Sequence, residues 1–207
     1  MKILVSDFDR TFYTDEIIKN VELVNKFVDE GNIFIIATGR PLYLLKPELE
    51  KYSIRYNYLI CNDGAVVFDK SNNVICKNNL EHIQTIEIYN FLRRTNVFEH
   101  VYIDAIYDFG DLSSKDYNGI IALPYDKKEA QYVLNQLNEK YFTINAYFSH
   151  RWLNILSADV SKGLGIRFLK DRENWDENDI YTIGDGANDI SMTIFENKKE
   201  YEKNHTL

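Results

Sequence analysis

Ile3-Leu4-Val5-Ser6-Asp7-Phe8-Asp9-Arg10-Thr11 stands at the start of the chain, a short apolar run that breaks into two carboxylates separated by one residue. Much later, Tyr181-Thr182-Ile183 runs into Gly184-Asp185-Gly186-Ala187-Asn188-Asp189 in the same manner. Four carboxylates thus stand where two strands end. In a doubly wound parallel sheet, ligands bind in the crevice at the carboxyl ends of the strands, so both acidic clusters face one site. Carboxylates gathered that closely repel one another unless a cation holds them. Mg²⁺ suits such a site because it takes oxygen ligands, keeps several waters and is usually completed by a substrate phosphate.

The segments between the two clusters support this sheet. Residues 2–6 read as the first strand, followed by a helix with Asn20 as N-cap and a stop at Gly31, since Leu23, Val24, Phe27 and Val28 recur at helical spacing. Ile33-Phe34-Ile35-Ile36-Ala37 is a continuous apolar run, typical of a strand buried on both faces. It ends in Thr38-Gly39-Arg40, and Pro41 suits the first turn of a helix, which puts that segment where backbone N–H groups attract anions. Tyr58-Leu59-Ile60 gives a third strand, and residues 65–69 and 73–77 a hairpin around Ser71-Asn72. Strands alternating with helices at this spacing predict a parallel α/β sheet.

After the hairpin the pattern changes. Residues 81–95 read as a helix, 100–109 and 119–124 as strands, 127–139 as a helix, and 142–148 and 152–156 as strands. This α-β-β order occurs twice, and short turns between consecutive strands imply an antiparallel sheet with its helices on one face. A helix over 162–170, a strand into Asp185 and a helix from about Asn188 return to the first pattern, and 196–205 is a solvated helix extension or a frayed tail. The predicted architecture is α/β: a Rossmann-like, doubly wound core of residues 1–79 and 159–207, with a small α+β insert over 80–158.

A chain of 207 residues, 45% of them hydrophobic, supplies one core plus a modest insert. The formal charge of -8 and pI near 5.1 argue against a nucleic-acid partner, which calls for a basic footprint. No early apolar stretch reaches membrane-spanning length, and Met1-Lys2 leads into the first strand without a signal-peptide core, so the expected location is the cytoplasm. Cys61 and Cys76 have no partner motif and read as buried strand thiols. His82, His100, His150 and His205 show neither metal-ligand nor triad spacing.

The residue types at these strand ends match phosphoryl transfer. Asp7 is the candidate nucleophile, a carboxylate able to form an aspartyl-phosphate. Asp9 is the candidate acid and base, giving a proton to the leaving oxygen and later taking one from water. Asp185 is a candidate metal ligand, with Asp189 supporting it from behind. Thr38 offers a hydroxyl to phosphate with the Gly39 backbone close by, Asn188 an amide, and Lys162 the cation that the charged equatorial oxygens need. Each segment alone has a plainer reading, as a polar turn, a helix cap or a solvated lysine. It is their combination that favours chemistry. Tyr107, Phe109 and Tyr117, near turns of the insert, either line its pocket or pack into its core.

With Asp7-x-Asp9-x-Thr11, Thr38, Lys162 and Gly184-Asp185-x-x-Asn188-Asp189 in that order, the sequence resembles the haloacid dehalogenase superfamily of phosphatases over nearly its whole length. Ala37 to Arg40, Ile60 to Ala65, Val160 to Gly163 and Gly184 to Met192 resemble its Cof-like, class IIB branch. The resemblance implies Asp7 as nucleophile and Asp9 as acid and base, with Mg²⁺ held by Asp7, the backbone carbonyl of Asp9, and Asp185. It implies phosphate binding by Thr38 and Lys162, a cap over 80–158, and small phosphorylated metabolites as substrates, sugar phosphates foremost.

Two departures stand out. The family usually has Gly where this chain has Arg10, which either contacts an anionic substrate or points into solvent. Family members usually continue through a further strand and helix, whereas this chain stops at Leu207, so weakened activity or a bare sheet edge is expected. Two other readings fit the same residues. One is a phosphoryl-accepting regulatory domain, although such domains carry their acceptor after a middle strand and lack a large insert. The other is a non-catalytic relic that binds phosphate compounds.

Overall fold

The computed structural model describes residues 1–107, 109–110 and 117–195, so the tail expected over 196–205 lies outside the described residues. In chain order the first elements are β1 (Ile3–Asp7), α1 (Ile17–Asp29), β2 (Ile33–Ala37), α2 (Leu42–Lys51), β3 (Tyr58–Cys61), a 3-10 turn (Asn62–Gly64), β4 (Val66–Asp69) and β5 (Val74–Lys77). Next come α3 (His82–Arg94), β6 (Phe98–Asp104), β7 (Phe109–Gly110), β8 (Gly119–Pro124), α4 (Lys127–Lys140), β9 (Ile144–Ser149) and β10 (Trp152–Ser157). The chain then returns with α5 (Lys162–Glu173), β11 (Ile180–Ile183) and a 3-10 helix (Ala187–Phe195).

The larger sheet has the order β11-β1-β2-β3-β4-β5. Its first four strands are parallel, and the hairpin β4–β5 closes one edge antiparallel. Strand alternation sends successive side chains to opposite faces. Phe34 and Ile36 meet α1 and α2 through Val21, Val24, Leu45 and Leu49. Ile35 and Ala37 meet α5 through Ile166 and Leu169. A strand covered on both sides has no use for polar residues, which explains the unbroken apolar run of β2.

The first helix begins earlier than expected. Asn20 is inside it, and its side-chain amide instead ties down the loop before it, donating to the Phe12 carbonyl at 2.9 Å. The buried stripe is Ile17, Val21 and Val24, while Leu23 faces solvent. Gly31, at φ 85°, is left-handed just past the end of the helix, where the stop was expected.

The second sheet, β7-β6-β8-β10-β9, is antiparallel throughout. Ile88 and Leu92 of α3, with Val133 and Leu137 of α4, pack on Ile103, Ile120, Ala122, Leu153 and Ile155, so the helices cover one face. The expected strand 100–109 ends early, at Asp104, whose side chain turns to the core. Tyr117 is buried in this second core and stacks on His82, Tyr107 is exposed, and neither is among the described residues that line the cavity between the sheets. The side chain of Phe109 lies outside what the structure describes. Cys61 is buried, Cys76 half-buried, and both are free thiols. Among the described residues no helix is long and apolar enough to cross a membrane.

Candidate active site

Three parallel strand ends fix the position of the acids. β1 pairs with β2 so that Asp7 lies beside Ala37, and with β11 so that Ser6 lies beside Ile183. Asp7, Thr38 and Gly184 therefore leave the sheet side by side at its carboxyl edge. α5 enters the same edge, with Ser161 capping the Leu164 N–H at 3.1 Å and Lys162 in the first turn.

Lys162 is 1% exposed, and its ammonium donates to Asp7 Oδ1 at 2.6 Å and to Asp189 Oδ1 at 2.7 Å. A buried charge persists only when paired in this way. Burial works against the ammonium, but Asp63, Asp7 and Asp189 outweigh it and hold the Lys162 pKa above the usual lysine value. Asp7 is pushed up to about 6 by burial, against the opposing pull of Lys162.

Asp189 has both oxygens engaged, because Oδ2 accepts the N–H groups of Asp185 at 3.1 Å and Gly186 at 2.8 Å. Asp185 is exposed and accepts the Thr11 hydroxyl at 3.3 Å. Asp7, Asp185 and Asp189 each offer an oxygen within 4.8 Å of the others. An all-oxygen, anionic donor set fits a hard divalent cation such as Mg²⁺, with Asp7 and Asp185 freer to bind it than Asp189.

Thr38 is buried, and its hydroxyl accepts the Arg40 N–H at 3.1 Å. Gly39 packs so closely on Asp63 that an added Cβ would lie 3.1 Å from its carboxylate. The Asp9 side chain stands apart from the other acids. Arg40 grips both of its oxygens, at 2.9 and 2.5 Å, and lays its guanidinium over the Phe8 ring. The Asn188 amide donates one N–H to Asp63 at 2.9 Å.

Sequence reasoning gave no role to four residues that organise this site: Arg40, Asp63, Asp104 and Tyr147. Asn62, Asp63 and Gly64 all have positive φ, at 51, 52 and 107°. The resulting turn aims two side chains at the second sheet. Asp63 accepts the Tyr147 hydroxyl at 2.5 Å, while Asn62 donates to Asp104 at 2.7 Å. Tyr43 also donates to Asp104, at 3.2 Å. Between the two sheets lies a cavity of about 640 Å³. Asp7, Asp9, Arg10, Thr38, Asp63 and Asp185 line its floor, and Tyr102, Ile121, Phe148, His150, Trp152 and Asn154 its roof. Arg10 therefore lines the cavity, and its φ of 67° explains why glycine suits that position.

Burial raises the Asp104 pKa to about 7, and the hydrogen bonds from Tyr43 and Asn62 only partly oppose this. For a carboxyl whose folded pKa exceeds its unfolded one, stability is fully present below pH 3.8 and is lost as pH rises through about 7. Asp104→Asn removes this titration. Compared with the variant, wild type should lose stability on the order of 3–4 kcal/mol between pH 4 and 7.5, measured by urea unfolding at each pH. Parallel pH dependences in the two proteins would contradict this assignment.

A family description of haloacid dehalogenase-like hydrolases matches residues 4–108 and 98–195. The Bacillus subtilis protein named "Putative phosphatase YkrA" is 30% identical over 220 residues, covering 92% of this chain and 82% of its own length. A haloacid dehalogenase-like hydrolase from B. subtilis superposes with a TM-score of 0.83 at 16% identity, over 94% of this chain and 87% of that one. The subclass IIB sugar phosphatase BT4131 superposes with a TM-score of 0.72 at 18% identity, over 93% and 83%. These two solved structures share the fold, and the family match spans both sheets. The chain belongs to the haloacid dehalogenase-like hydrolase family.

Proposed function

We propose that the protein is a Mg²⁺-dependent phosphatase of small phosphorylated metabolites, sugar phosphates foremost, acting in the cytoplasm through an aspartyl-phosphate. The carrying observation is the buried Lys162, bridging Asp7 and Asp189 at the strand ends beneath a roofed cavity. A receiver domain has no need of such a roof. Residues 1–79 and 159–207 would do the chemistry, and 80–158 would act as a cap that excludes water and selects the leaving group.

A divalent cation held by the carboxylates of Asp7 and Asp185 and the backbone carbonyl of Asp9 would neutralise charge on the transferring phosphoryl oxygens. The Thr38 hydroxyl, the Gly39 backbone and Lys162 hold the phosphate. Asn188 has a second amide N–H to add, since only one is engaged by Asp63. The Asp7 carboxylate attacks phosphorus as the bond to the leaving oxygen breaks, and Asp9 gives that oxygen its proton. Asp9, now a carboxylate, takes a proton from the attacking water, and the bond from phosphorus to Asp7 breaks to release phosphate. Because Arg40 engages both oxygens of Asp9, it must let go of one for either transfer.

The test is turnover of aryl and alkyl phosphates by the purified protein, with Mg²⁺ and with a chelator, alongside Asp9→Asn. Turnover is expected only with the metal. Asp9→Asn should slow alkyl esters about a hundredfold or more, and aryl esters less in the first step, since an aryloxide leaves without a proton. Equal losses for the two classes in that step would remove Asp9 as the acid, and metal-independent turnover would remove the cation.

A further inference from the structure

Among the described residues of the core, three cations border the catalytic centre, and two of them are engaged. Lys162 is bound between Asp7 and Asp189, and Arg40 is bound to Asp9. Arg10 is the third. It lines the cavity, it is exposed, and its guanidinium has no hydrogen-bond or ion-pair partner among the described residues. The neighbouring carboxylates do not hold it, since Asp9 faces Arg40 and Asp185 takes Thr11.

The backbone at Arg10 adds a second, independent observation. Its φ of 67° is a conformation that a long side chain adopts at a cost and glycine adopts freely. A strained residue retained at a site is a reason to ask what its side chain does there. On the roof, His150 sits in the turn joining β9 to β10, also left-handed at φ 53°, and lines the same cavity. Its imidazole likewise has no polar partner among the described residues. One core residue and one insert residue thus bring basic side chains to a single cavity otherwise rich in acids.

We propose that Arg10, with His150 on the roof, forms a second anion subsite, so that the preferred substrates carry a further carboxylate or phosphate on the leaving group. This rests on the phosphatase reading and narrows it. A guanidinium offers a planar fork of N–H donors that binds either anion through two hydrogen bonds, and an uncharged leaving group leaves that fork in water.

Matched substrate pairs test the subsite. 3-Phosphoglycerate differs from glycerol 3-phosphate by a carboxylate, and fructose 1,6-bisphosphate from fructose 6-phosphate by a phosphate. In wild type, kcat/KM should favour the anionic member of at least one pair, and the responding pair identifies the anion. Arg10→Gly should lower that anionic-to-neutral ratio about tenfold, mainly through KM, with Arg10→Lys in between and His150→Gln giving a smaller drop. Since glycine suits this backbone, Arg10→Gly should melt no lower than wild type, which separates lost recognition from misfolding.

Calorimetric titration of the same four compounds into Asp7→Asn and into Asp7→Asn with Arg10→Gly reads the preference without turnover. An unchanged ratio in both measurements overturns the subsite while leaving the phosphatase reading intact. Failure of all four compounds to bind or react overturns both.

Discussion

Asp7→Asn is expected to lower kcat by about four orders of magnitude or more while the protein stays folded, because an amide cannot form the acyl-phosphate bond. The fold should survive for a local reason. Lys162 keeps Asp189 at 2.7 Å, so removing the Asp7 charge does not leave the buried ammonium alone. The variant also gives up a carboxylate that burial already disfavours, as its raised pKa of about 6 records. Initial rates on an aryl phosphate, together with thermal melts of both proteins, check the two halves of this expectation. Turnover within about tenfold of wild type would end the case for Asp7 as nucleophile.

Gly163→Ala should be among the most damaging single methyl groups at the described residues. A Cβ there would lie 1.9 Å from the Ser191 carbonyl oxygen and 2.6 Å from its carbon, both backbone atoms. No rotamer change relieves a clash between backbones, so α5 and the 3-10 helix Ala187–Phe195 must move apart. That motion breaks the 3.1 Å hydrogen bond from the Gly163 N–H to Ser191 Oγ and displaces the adjacent Lys162. A stability loss of about 3 kcal/mol or more is expected, with activity falling alongside it. Urea unfolding reads the first and aryl phosphate turnover the second. A loss below about 1 kcal/mol would show that the two helices separate easily.

The parts of the site legible in the sequence were those fixed by strand ends. Asp7, Thr38 and Asp185 follow apolar runs, and parallel pairing brings such positions together whatever lies between. Lys162 was legible only through its place in an ordered set, since nothing local distinguishes it from a surface lysine. Asp104 was missed because it sits in a strand of the insert, and its partners Asn62 and Tyr43 come from the core. No spacing rule connects such distant positions. A carboxylate among the apolar residues of a strand was the available signal.

The roof aromatics were missed for a related reason. Which face a strand residue occupies depends on register, and a shift of one residue exchanges the faces. Tyr102 and Trp152 reach the cavity, whereas Tyr117, just ahead of β8, packs among the side chains beneath α3 and α4. The earlier start of α1 shows the same limit, because Asn20 is a good cap by type but serves as a tie to the Phe12 carbonyl.

The turn Asn62–Gly64 ties the roof of the cavity to its floor. Tyr147 and Asp104 both reach it from the insert, and its own backbone donates from Asp63 to the Thr38 carbonyl at 3.0 Å and from Asn62 to that of Arg40 at 3.2 Å. In the proposed mechanism, lifting the roof would therefore pull on the Thr38–Arg40 loop assigned to phosphate. Gly64 cannot absorb that pull by sliding toward α5, because its Cα already lies against the Ser161 carbonyl, with an added Cβ only 2.1 Å from the oxygen. Opening such a lid and slackening the grip on the product would then be one mechanical stroke.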